Sequence, residues 1–105
     1  GETVLRDRRV LAEEGVVVVV VTVDRRSGDI VTGPEIITRG WVHAAEAEEL
    51  IEDARTEVTK AVAEATGAGA NDVETLRRVV RRAAGRLVNE RTKRRPMIVP
   101  VVMES

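Results

Sequence analysis

The chain changes its hydrophobic period twice. An unbroken β-branched run, VVVVVVTV over residues 16–23, follows Gly15 and is the strongest strand signal in the sequence. DRRSGD, from Asp24 to Asp29, supplies polar turn residues and a glycine, and Ile30 to Thr32 turns apolar again. This spacing predicts a hairpin. Gly33–Pro34 interrupts the return strand, placing it at a bulge or a sheet edge, and Glu35 to Thr38 resume it.

From Ala44 the period becomes helical. Ala44, Ala47, Leu50, Ile51, Ala54, Val58, Ala61, Val62 and Ala65 recur at steps of three and four, an apolar stripe along about five turns. TGAGAND breaks it, and Asn71 or Asp72 is suited to cap the next helix. There Val73, Leu76, Val80, Ala83, Leu87 and Val88 share one face, and Arg77, Arg78, Arg81, Arg82 and Arg86 the other. Pro96 is expected to end this helix. Met97 to Met103 reads as a third strand, with Pro100 requiring an edge or bulge position. The expected fold class is α/β: a small two-layer domain, a three-stranded sheet packed against two helices, order β-β-α-α-β. Residues 15–105 form the domain, and residues 1–14, charged and weakly patterned, read as a linker or the tail of a preceding domain.

The first and third strands are apolar at both alternating sets of positions. Two helices cover only one face of such a sheet, so the other requires a cover. The candidates are the Gly1–Glu14 segment, a second copy of the domain, or a neighbouring domain. Val17, Val19, Val21, Ile98 and Val102 are the candidate oligomer interface.

At 105 residues the chain is one domain, large enough to bury ~60–70% of its unfolded surface. The missing initiator methionine fits a fragment, a processed start or a tag remnant, and the bias to arginine, alanine and valine suits a GC-rich genome. No stretch approaches the roughly 20 apolar residues of a membrane helix, and no secretory signal is visible, so the expected location is cytoplasmic. Cysteine is absent, which removes disulfides, thiol nucleophiles and thiolate metal sites. The formal net charge is −1, but its distribution is uneven. Residues 46–64 carry seven acidic side chains against Arg55 and Lys60, whereas residues 77–95 carry nine basic ones against Glu90.

Candidate chemistry is sparse. His43 is the one histidine and lacks the partners a zinc site needs. Glu46, Glu49, Asp53 and Glu57 lie near one face of the first helix without marking an acid/base pair. TGAGA follows a helix rather than a strand, a poor match to a phosphate-cradling loop. Trp41 is the sole aromatic residue; it suits packing at the junction of sheet and helix, because stacking platforms for single strands use several aromatics. No catalytic, cofactor-binding or metal residue is assigned. The basic face offers two readings: the solvated side of an amphipathic helix, or a phosphate contact using Arg77, Arg81, Arg82, Arg94 and Arg95.

Three long segments, ERTKRRPMIVPVVMES, SGDIVTGPEIITRGWV and VLRDRRVLAEEGVVVVVVTVD, closely resemble the C-terminal domain of bacterial ribonuclease J. The resemblance runs through nearly the whole chain and is least distinctive across the acidic helix and TGAGAND. It implies a parent hydrolase, a metal-dependent 5′-exoribonuclease and endoribonuclease of RNA maturation and decay. Such an enzyme combines metallo-β-lactamase and β-CASP domains with a small C-terminal α/β domain. It also implies two zinc ions on HxHxDH-type motifs elsewhere in the parent. No such motif occurs here, and His43 matches none of those ligands. In this family the C-terminal domain is associated with dimer or tetramer assembly, which agrees with the sheet face needing a cover. The expected role is therefore an oligomerisation or structural domain without its own catalytic site or cofactor. Its partners are further copies, its own catalytic domains and, through the parent enzyme, RNA; no membrane is involved. The alternatives are an accessory RNA-binding module on the basic helix and a docking platform for a helicase or another degradosome component.

Overall fold

A computed structural model of the chain describes residues 15–40 and 44–105. Three strands and two helices follow in the expected order: β1 (Val16–Val23), β2 (Ile30–Arg39), α1 (Ala44–Gly67), α2 (Val73–Thr92) and β3 (Met97–Glu104). The sheet is mixed, with strand order β2-β1-β3. β1 pairs with β2 antiparallel and with β3 parallel. The valine run is thus the central strand, and the two proline-bearing strands lie at the edges, where a missing N–H costs no ladder bond.

The hairpin turn is held by its own side chains. Asp24 Oδ1 accepts from the backbone N–H groups of Arg26 (2.7 Å) and Ser27 (2.9 Å), an aspartate-stabilised turn. Gly28 adopts φ 79°. A Cβ there would lie 2.9 Å from Thr66 Cβ, so the backbone of the turn rests directly on the end of α1. β2 is one strand rather than two pieces, because a register shift between Val20 and Thr22 absorbs Gly33–Pro34. The Gly33–Pro34 peptide is cis, and Gly33 (φ 92°) lies so close to β1 that a Cβ would stand 2.6 Å from the Val20 carbonyl oxygen.

α1 and α2 form an antiparallel pair laid across one face of the sheet, α1 over β2 and α2 over β3. Their apolar stripes meet Val17, Val19 and Val21, which are fully buried, together with Val23, Ile36 and Val102. Leu50, Ala54, Val58 and Val62 enter from α1, and Leu76, Val80, Ala83, Ala84, Leu87 and Val88 from α2. The core contains no buried charged residue among the described positions.

Asp72 caps α2, accepting from the Thr75 backbone N–H (3.0 Å) and the Thr75 hydroxyl (2.7 Å). These bonds hold the Asp72 carboxyl below the usual carboxylate range, the hydroxyl contributing most. The other end corrects the sequence expectation. α2 stops at Thr92, before Pro96 acts, because Lys93 takes the left-handed conformation (φ 61°) and its N–H bonds the Asn89 carbonyl at 2.8 Å. The Asn89 side chain then donates to the Arg94 carbonyl, and the Arg94 N–H donates to Thr92 Oγ1. A left-handed cap with side-chain substitutes satisfies groups that the broken helix would otherwise leave open.

Candidate functional site

Among the described residues, no three His, Asp or Glu side chains converge as metal ligands would. His43, Trp41 and the Gly1–Glu14 segment lie outside the described residues. Asp53 is taken up in an ion pair with Arg91 at 2.7 Å, which links the acidic helix to the basic one. Glu49 and Glu57 are exposed. No helix is long and apolar enough to cross a membrane among these residues. Two surfaces remain as candidates for function.

The first is the sheet face opposite the helices. In the β1–β3 pair Val16 stands beside Met97, Val18 beside Val99, Val20 beside Val101 and Thr22 beside Met103. Across β1–β2, Val18 stands beside Ile37, Val20 beside Glu35 and Val16 beside Arg39. These side chains share one face by the two-residue alternation of strands. Its centre is therefore apolar, and Glu35, Arg39 and the two threonines Thr22 and Thr32 edge it. Met97, Val99, Val101 and Met103 are 36–46% exposed, an unusual concentration of apolar side chains for a solvated surface.

This geometry corrects the candidate interface. Val17, Val19, Val21 and Val102 are buried beneath the helices, and Ile98 packs against the same core. They belong to the helix-covered face and are not available for assembly. The cause is parity: a strand apolar at every position carries no alternation, and a step of one residue exchanges the two faces. The available set is Val16, Val18, Val20, Met97, Val99 and Val101.

The second surface is the outer side of α2, a helix with six arginines against two glutamates, of which Arg91 is turned to Asp53 of α1. Arg77 is tied to Glu74 at 2.6 Å, one turn away. Arg78, Arg81, Arg82 and Arg86 are exposed and enter none of the ion pairs among the described residues. Arg94 and Arg95 lie beyond the left-handed cap and do not continue this row. Of the five sequence candidates, Arg81 and Arg82 lie together on the exposed side of α2, with Arg77, paired to Glu74, one turn before Arg81. The structure adds Arg78 and Arg86, whose place on the solvent side was readable from four-residue spacing. Arg86 also borders the groove between the helices, where Glu57, Lys60 and Glu64 lie opposite.

The fold is a small two-layer α/β domain, a three-stranded mixed sheet with two helices on one face. Residues 3–105 match the family model described as the ribonuclease J C-terminal domain, and the chain belongs to that family. It is 45% identical to Ribonuclease J2 of Bacillus subtilis (strain 168) over 104 residues. Identity is 42% to Ribonuclease J 2 of Staphylococcus epidermidis (strain ATCC 35984) and 39% to Ribonuclease J 2 of Staphylococcus aureus (strain NCTC 8325). Each match covers 99% of this chain and 19% of the relative, so the chain spans about a fifth of the curated relatives' length.

Proposed function

We propose that this domain is an assembly module of a ribonuclease J-type enzyme, holding catalytic cores together and contributing no catalytic group of its own. The parent in this reading is a cytoplasmic, metal-dependent 5′-exo- and endoribonuclease of RNA processing and decay. Its two zinc ions and its metallo-β-lactamase and β-CASP domains lie outside this sequence. The observation that carries the reading is the apolar sheet face centred on Val18, Val20, Val99 and Val101. An apolar centre with a polar margin is the usual anatomy of a protein–protein interface. The occupant in this reading is a second copy of the domain, which covers the same face on both subunits in a two-fold contact.

The test is deletion of the domain from the full-length protein. The expected result is a lower oligomeric state and slower RNA turnover, with the metal content of the catalytic core unchanged. A truncated protein that keeps its full assembly overturns the proposal.

A further inference from the structure

We infer that the open arginine row of α2 is a contact for the phosphate backbone of RNA, separate from the assembly face. The inference rests on the ribonuclease reading only for the identity of the polyanion. Arg78, Arg82 and Arg86 recur every four residues along one helical row, about 6 Å apart at 1.5 Å rise per residue. Arg81 lies on the adjoining row. All four are exposed, and none is consumed by an ion pair among the described residues. The acidic neighbours are Asp72, which caps the helix and acts on Arg78 through its charge, Glu74, which is paired with Arg77, Glu90 at the far end, and Glu57 and Glu64 across the helix groove, Glu64 lying beside both Arg82 and Arg86.

The chemistry favours phosphate over bases. A guanidinium offers paired donors that match phosphate oxygens. With one aromatic residue in the whole chain, no stacking platform accompanies the row, so the contact is electrostatic and tolerant of sequence. The row lies on the outer side of the helix layer, opposite the Val18–Val99 face, so both surfaces can be engaged at once.

The experiment is an anisotropy titration of the 105-residue chain against a labelled 20-nucleotide single-stranded RNA of mixed sequence, at several salt concentrations. Three or four phosphate contacts predict a log–log salt slope of roughly −2 to −3. Substituting Arg78→Gln, Arg82→Gln and Arg86→Gln together is expected to make the slope shallower by about 2, leaving the melting temperature and oligomeric mass unchanged. Absence of binding at low salt, or an unaltered slope in the variant, overturns the inference. Arginine-dependent self-association without RNA would assign the row to a partner's acidic helix, and also overturns it. Failure of the assembly reading looks different: the chain stays monomeric while RNA binding persists.

Discussion

Val18 and Val99 stand side by side across the parallel β1–β3 pair on the open face, while Val17 and Val19, one position away on either side of Val18, are fully buried under the helices. One strand therefore serves two surfaces with different energetics. Val19→Ala removes buried apolar volume and leaves a cavity, at a cost of about 2–3 kcal/mol. Val18→Ala is expected to cost distinctly less in the monomer. Chemical denaturation of both variants at a concentration below that of self-association checks the difference, and equal losses would contradict the assignment of faces.

A second prediction concerns the close approach of β2 to β1. A methyl at Gly33 meets the Val20 carbonyl oxygen at 2.6 Å with φ at 92°, whereas one at Gly67 meets nothing within 4 Å. Gly33→Ala is expected to lose at least the about 1–2 kcal/mol of a left-handed residue, and more from the clash. Gly67→Ala, at the last residue of α1, is expected to change little. Thermal melts of the two variants give the comparison directly.

The cap of α2 makes stability depend on pH in one direction. Hydrogen bonds from Thr75 lower the Asp72 carboxyl below its ordinary value. A depressed acid contributes its stability above the unfolded value, about 3.9, and loses it as pH falls through the folded value. Asp72→Asn keeps an acceptor but cannot titrate. The expected outcome is a shallower fall in melting temperature between pH 5 and pH 2, on the order of that acid window, for Asp72→Asn than for the unsubstituted chain. Asp24, lowered by the Ser27 and Arg26 amides, adds a fall of the same sign in both proteins.

The Asp53–Arg91 pair joins two helices whose charges oppose each other, yet both side chains remain substantially exposed. A double-mutant cycle with Asp53→Asn and Arg91→Gln is expected to give a coupling of about 0–1 kcal/mol. The coupling should shrink in 1 M salt, where the screening length is about 3 Å. A large, salt-insensitive coupling would contradict the view that apolar stripes, rather than charge, hold the helices together.

Much of this architecture was legible in the residues. The β-branched run announced a strand, four-residue apolar spacing announced both helices, and the prolines put β2 and β3 at the edges. Asp72 was legible as a cap because short polar side chains satisfy the first helical N–H groups. The parity of β1 and β3 was not legible, since valine at every position removes the alternation from which a buried face is read. Lys93 was hidden for another reason: a left-handed lysine carries no sequence signal comparable to glycine, and Pro96 offered a plausible later stop. The arginine row was visible as a charge pattern. Only the geometry separates Arg78, Arg81, Arg82 and Arg86 from Arg77, which Glu74 holds.

The proposed assembly places the contact between copies of this domain on the Val18–Val99 face. Sedimentation velocity on the 105-residue chain and on a Val99→Glu/Val101→Glu variant tests it most directly. Both positions are 36% exposed, so the charges are tolerated in the monomer but are costly within an apolar contact. The expected result is a concentration-dependent dimer or larger species for the unsubstituted chain and a monomer with native circular dichroism for the variant. An unsubstituted chain that stays monomeric at all concentrations, or a folded variant of undiminished mass, would contradict the account.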